Sequence, residues 1–199
     1  MALVAALYVD SARGAYASIP DVDTWGFASR DGKQVDLFAL DRDARLYAGP
    51  LPVIAHPPCG PWGRFHWNYK GGEGHANCGP LAVKQVRALG GVLEHPAHSK
   101  LWKAAGLPAP GCQIDAFGGW TLEVNQCDWG HPAKKPTWLY ICGRHSLPPL
   151  PPPGKPTHVM VRLLRNNNDL PEVGKGVRHL TPPRFAAFLV ELAAGCVRG

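Results

Sequence analysis

Two short apolar runs of the same design bracket one amphipathic segment, and they restrict the fold more than any other feature of the chain. The first is Val53-Ile54-Ala55, followed at once by His56-Pro57-Pro58-Cys59-Gly60-Pro61-Trp62. The second is Gly91-Val92-Leu93, which runs into Glu94-His95-Pro96. A β-branched apolar run closed by proline or glycine reads as a buried strand. Between the two, residues 79–89 place Leu81, Val83, Val86 and Leu89 on one helical face and Lys84 and Arg87 on the other, and Gly90-Gly91 ends the helix. Strand, helix, strand is a βαβ unit, whose strands are expected to be parallel and adjacent. The turns that follow them then share the carboxyl edge of the sheet, where open α/β sheets place their ligands. Cys59 and Glu94 are therefore expected in one pocket. Pro57 and Pro58 restrict the backbone before Cys59 and hold its thiol in place. The plainer alternative for Cys59 is a small buried thiol in a tight loop.

The remaining segments fit the same layered plan. Residues 2–9 read as a first strand ending at Asp10, with Gly14 in the turn after it. An acid and a glycine there often approach a cofactor, which makes Asp10 and Gly14 candidates, although a simple turn accounts for them equally. Residues 18–34 read as loop, and 34–47 as a short helix stopped by Gly49-Pro50. Residues 62–78 mix aromatic, basic and glycine residues, Trp62 and Arg64 among them. They read either as a mobile loop that stacks on bases and contacts phosphate, or as a glycine-rich loop whose aromatics cover the core. Residues 98–119 form a second connection with Leu101 and Trp102 on a short helix, and strands follow at 121–124 and 138–142. Residues 147–156 hold six prolines and read as an extended surface linker, while 157–177, with Arg162 and Arg165, read as basic and irregular. A last helix runs from about Pro183 to Ala194, capped by Thr181, with Phe185, Phe188, Leu189 and Leu192 inward. The expectation is one reduced, three-layer, Rossmann-like α/β domain over residues 1–199 with a mainly parallel sheet.

Composition narrows the function classes. A net charge of +6 and a pI of about 9.1 favour a polyanionic partner. The six cysteines are scattered with no CxxC pair, and the start of the sequence has no basic region or cleavage site of a secretory signal. A cytoplasmic chain with reduced thiols is expected. No apolar run approaches the ~20 residues needed to span a bilayer, so no membrane partner is expected. His75-x-x-Cys78, with His66 nearby, is a permissible zinc spacing, but one such pair does not make a site, and no metal is expected.

Four motifs resemble, in the same order, those of the cytosine-5 DNA methyltransferases. Pro58-Cys59 is similar to that family's Pro-Cys nucleophile loop, and Glu94-His95-Pro96 to its Glu-Asn-Val motif. Asn125-Gln126-Cys127-Asp128-Trp129-Gly130-His131-Pro132-Ala133-Lys134-Lys135-Pro136-Thr137 resembles its Asn-Ala-x-Asp-Tyr-Gly-x-Pro-Gln-x-Arg-x-Arg stretch. Arg178-His179-Leu180-Thr181-Pro182-Pro183 resembles the Arg-x-Leu-Thr-Pro-Arg segment that opens its last helix. The likeness is to a reduced, phage-type member. It implies a methyltransferase-like fold and a transferase that modifies a flipped-out pyrimidine in DNA, double-stranded or single-stranded. By the same resemblance, Cys59 adds to C6 and Glu94 holds N3, so that C5 becomes nucleophilic. His95 stands at the family's Asn, and Lys135 matches an arginine near the base, keeping its charge but not its fork. Pro58, Trp62, Arg64, His56 and Thr137 are the further residues expected around the substrate, with His56, Arg64 and Lys135 as cations that lower the Cys59 pKa.

The resemblance implies S-adenosylmethionine as cofactor. The family's Phe-x-Gly-x-Gly cofactor loop is reduced here to Asp10 and Gly14, and Ala133 and Thr137 stand where it has Gln and a second Arg. Three readings stay open. One is methyl transfer to cytosine. Another is an S-adenosylmethionine-independent transferase acting on an already modified pyrimidine, a 5-hydroxymethyluracil derivative of phage DNA. The third is a non-catalytic nucleic-acid-binding derivative of the fold.

Overall fold

A computed structural model of the chain describes residues 3–10, 14–26, 42–71, 73–161 and 169–196. Within them lie strands β1 (Val4–Leu7), β2 (Val22–Trp25), β3 (Val53–Ala55), β4 (Gly91–Pro96), β5 (Gly119–Asn125) and β6 (Pro136–Cys142). The helices are α1 (Glu73–Leu89), α2 (Lys100–Ala104), α3 (Lys175–Arg178) and α4 (Pro183–Ala194). The six strands form one sheet in the order β2-β1-β3-β4-β6-β5. β1 pairs in parallel with β2 and β3, and β3 with β4, whereas β6 is antiparallel to both β4 and β5. The sheet is thus mixed and mostly parallel, with β6 alone running against the rest.

Both faces are covered, so strand residues of either parity are buried. Ala5, Leu7, Val53, Ala55 and Leu93 join Val83 and Val86 of α1 and Trp102 of α2 in one core. Val4, Ala6, Ile54, Val92, Leu139 and Ile141 join Phe185, Leu189 and Leu192 of α4 in the other. This is a three-layer α/β arrangement. The βαβ unit forms as the sequence implies, with Val53 opposite Gly91 and Ala55 opposite Leu93. Gly91 lies at φ +130, and a side chain there would run into the Val53 backbone 2.0 Å away, so only glycine permits this pairing.

Several segments differ from the sequence expectation. Residues 22–25 are an edge strand rather than loop; all four are half-buried, and Asp23 and Thr24 disguise them. The helix expected at 79–89 begins at Glu73, so 73–78 are helical and not part of a mobile loop. Gly79 and Pro80 look like breakers, but Gly79 lies against the Trp62 indole and Leu101, where a side chain would not fit. Arg87 does not face solvent: it bonds Tyr140 Oη and Asp115 Oδ2 and covers the Phe117 ring. The helix expected over 34–47 falls largely outside the described residues, and only a 3-10 turn at Ala44–Leu46 remains of it. Arg162 and Arg165 also lie outside them. Thr181 does not cap α4; the cap is Pro182, with no side-chain hydrogen bond. The proline-rich 147–156 segment is a docked strap rather than a free linker. The Gly154 amide donates to Asp128 Oδ1 (2.8 Å), and the Thr157 and His158 amides donate to the Pro132 carbonyl. Among the described residues no helix is long and apolar enough to cross a membrane.

Candidate active site

Because β1 to β5 run one way and β6 the other, a single edge collects the carboxyl ends of five strands and the amino end of the sixth. Residues 8–10, 56–59, 94–96, 125–126 and 135–137 therefore meet there. The chain leaves β1 toward β2 on one side and returns at β3 on the other, so the β1–β3 boundary is the switch point where such sheets open a crevice. A cavity of about 1440 Å³ lies at this edge.

Most of the candidate residues line this cavity: Asp10, Gly14, His56, Pro58, Cys59, Arg64, Glu94, His95 and Lys135. Two do not. Trp62 packs its indole on the α1 side of the core, and its carbonyl accepts from the Lys100 amide. Thr137 is fully buried behind the site, its hydroxyl donating to the Lys135 carbonyl (3.1 Å). Neither is placed to touch a substrate in the cavity.

Glu94 is the best-held side chain of the site. The Gln126 side-chain amide donates to its Oε1 (2.8 Å), and His56 Nδ1 lies 3.0 Å from its Oε2. Behind them, Gln126 also donates to Thr137 Oγ1 (3.0 Å), which fixes the direction of its amide. Tyr16 Oη lies 2.7 Å from His56 Nε2, which fixes the imidazole. Burial by itself pushes the Glu94 carboxyl up. The His56 hydrogen bond, with attraction from His56, Lys135 and His95, outweighs it and brings the pKa down to about 2. Burial, reinforced by the Glu94 charge, holds the Tyr16 hydroxyl well above the usual phenol range.

Cys59 does not sit as the cation argument expects. Burial, and then the charge of Glu94, push its thiol up, and Lys135 opposes them only in part. His56 acts on Glu94 rather than on the thiol, and Arg64 stands exposed with its guanidinium 5.9 Å from the Phe65 ring. The Cys59 carbonyl accepts the Trp62 and Gly63 amides (3.0 and 2.7 Å), so the turn at Cys59 is internally closed. His95 is nearly inaccessible; burial, with His56, pushes it down to about 4 against the opposing pull of the Glu94 charge. It packs at 6.4 Å from Trp102, and neither ring nitrogen makes a hydrogen bond of normal geometry, although the Pro58 carbonyl favours its charged form. Lys135 Nζ reaches the Leu180 carbonyl (3.2 Å), tying β6 to the segment before α4.

Tyr16 and Gln126 are the residues that sequence reasoning missed. Gln126 lay inside a quoted motif, next to Asn125, but nothing in the spacing says that it bonds a carboxylate 32 positions away. Tyr16 carried no signal at all. The histidines and cysteine considered for zinc are dispersed: His66 Nε2 lies by Lys100 Nζ, the His75 ring by Tyr69 Oη, and Cys78 bonds the Gly74 carbonyl. Among the described residues no group of three or more such side chains gathers.

The cofactor that the resemblance implies, S-adenosylmethionine, can be tested against the described residues. Asp10 and Gly14 border the cavity, and the Gly14 amide donates to the Asp10 carbonyl (3.0 Å) in a closed turn. The acid of the next strand, Asp23, is taken up by Trp25 Nε1 (2.8 Å) and by Arg42. Asp43, the first described carboxylate after β2, is taken up by Arg45, so these residues do not fit the group. Compared with models of protein families and with curated proteins, the chain matches none.

Proposed function

We propose that the chain is an enzyme that modifies a pyrimidine of a nucleic acid at C5, with Cys59 as the nucleophile and Glu94 as the group that holds N3. The observation that carries this reading is the meeting of Cys59 and Glu94 at the ends of adjacent parallel strands, in one cavity that Lys135 also borders. Cys59 gives up its thiol proton to water in the cavity, and its sulfur bonds to C6. The C5–C6 π pair moves to C5, which takes an electrophile. Loss of the C5 proton and cleavage of the S–C6 bond then restore the ring. In the free protein the thiol is held protonated beside the Glu94 charge. A base that occupies the carboxylate relieves that charge, so nucleophile activation and substrate binding are coupled.

A nucleic-acid substrate is supported by the rim. Arg64, Lys134, Lys135 and Arg178 border the cavity, and Phe65 and Trp67 stand 52% and 73% exposed on the loop beside it. The resemblance adds methyl transfer to DNA cytosine as one form of this chemistry. The test is incubation with a single-stranded oligonucleotide carrying a 5-fluoropyrimidine, with and without S-adenosylmethionine. A denaturation-resistant adduct that disappears in Cys59→Ser is expected. No adduct on any base, together with unchanged oligonucleotide binding by Cys59→Ser, would leave a binding protein and not an enzyme.

A further inference from the structure

We propose that the base held against Glu94, if the cavity seats a pyrimidine as proposed above, is one that brings its own proton on N3: a 2,4-dioxopyrimidine of the uracil and thymine class rather than cytosine. The geometry behind this is the set of donors already trained on the carboxylate. Oε1 takes the Gln126 amide, whose orientation is fixed because the Thr137 hydroxyl is committed to the Lys135 carbonyl and can only accept from it. Oε2 faces His56 Nδ1, and Tyr16 occupies the other ring nitrogen. An ionised Glu94 can only accept at Oε2, so the His56 tautomer that fits carries its proton on Nδ1 and takes the Tyr16 hydroxyl proton at Nε2, which leaves Glu94 with acceptor capacity and nothing to donate. The titratable groups facing it from the surrounding elements are Tyr16 after β1, His56 and Cys59 after β3, His95 on β4 and Lys135 before β6, and the three that act most on it favour its charged form.

An N3–H meets such a carboxylate directly, and Lys135 Nζ, which has donors beyond its bond to Leu180, suits an adjacent ring carbonyl. Cytosine offers its amino group to one lone pair, but its N3 then faces the carboxylate acceptor to acceptor. It binds only by taking up a proton. A site built to receive a donor rejects the analogue that lacks it far more strongly than a site that differs by shape alone. Tyr16, His56 and Gln126 are positioning residues in this scheme, since they hold the Glu94 carboxylate by hydrogen bonds, directly or through His56, without touching the base.

The experiment uses the whole chain and single-stranded poly-adenine oligonucleotides with one central uracil or one central cytosine. Anisotropy at pH 8 gives binding, and mass spectrometry in heavy water gives exchange of the C5 hydrogen, which needs no donor: Cys59 adds to C6, C5 takes a deuteron, the original proton leaves and the thiolate is expelled. Uracil is expected to bind and to exchange at least about tenfold better than cytosine. Cytosine should gain about tenfold per unit as the pH is lowered, as uptake of one proton requires, while uracil does not. Glu94→Gln, whose amide can donate to a bare N3, should bring cytosine to parity or better. Cys59-dependent exchange with cytosine equal to uracil at pH 8 overturns the base class and leaves C5 chemistry standing. Absence of exchange on both bases overturns the C5 chemistry, and the binding comparison then still decides the base class: equal affinities overturn it.

Discussion

At the scale of single residues, the cavity is organised by one charge. Burial and the Glu94 charge together hold Cys59 as a thiol; His56, with Lys135 and His95, keeps Glu94 charged, while Tyr16 and Gln126 fix its surroundings. We therefore expect Cys59 in the free protein to alkylate slowly with iodoacetamide at pH 7. Glu94→Gln should move the midpoint of the rate–pH profile to lower pH, and an unchanged profile would separate the two side chains electrostatically. A second consequence concerns acid stability. His95 titrates near 6.5 when unfolded and about 4 when folded, so its buried neutral form contributes stability that is complete above pH 6.5 and lost as the pH falls toward 4. Glu94 adds a second loss between about 4.5 and 2. Urea midpoints should fall from pH 6.5 downward, and His95→Phe should remove the upper part of that fall, on the order of 3 kcal/mol. The Cys59–Glu94 meeting was legible in the sequence because it follows from two strand ends and one helix. The partner of His56 was not, since a residue's place on a strand does not say which of two neighbouring side chains its ring nitrogens will reach.

At the scale of elements, the well-read segments are those whose pattern is settled by burial on both faces. β3, the first half of β4 and most of β6 are apolar, and α4 keeps its inward row from Phe185 to Leu192. Truncating that row is costly: Leu189→Ala, at a fully buried site, should lose about 3 kcal/mol, while Leu46→Ala, 74% exposed, should lose almost nothing. Equal losses in chemical denaturation would mean that α4 is not the cover of its face. The misread elements are those decided by one long-range contact. β2 exists because β1 pairs along its length, not because four half-buried residues demand a strand. The first turns of α1 persist because Gly79 fits against Trp62 and Leu101. Arg87 looks like a solvent-facing helix residue, yet Asp115, Tyr140 and Phe117 enclose it.

At the scale of the whole molecule, positive charge and exposed aromatics surround the cavity mouth. A single-stranded oligonucleotide should bind with an affinity that falls steeply as salt rises. Trp67→Ala should weaken binding by about tenfold through the loss of one stacked base, with the circular dichroism spectrum unchanged. Binding insensitive to salt or to Trp67 would place the polymer elsewhere. The docked strap at 147–158 closes the far side of the 126–132 turn and so supports Gln126 and, through it, Glu94.

What the sequence by itself determined is the frame: a mostly parallel sheet, a βαβ unit at its centre, and Cys59 and Glu94 at one edge of it. Periodicity and chain direction are enough for this, because burial on both faces and the parallel crossover leave few alternatives. The tertiary structure alone decided the electrostatic state of the site. The pairing of His56 with Glu94, the locks from Tyr16 and Gln126, the withdrawal of Trp62 and Thr137, and the raised thiol of Cys59 all depend on distances between side chains far apart in the chain. Hydrogen bonds and charges at a buried site change sign of effect within a few ångströms, and no pattern along the chain carries that information.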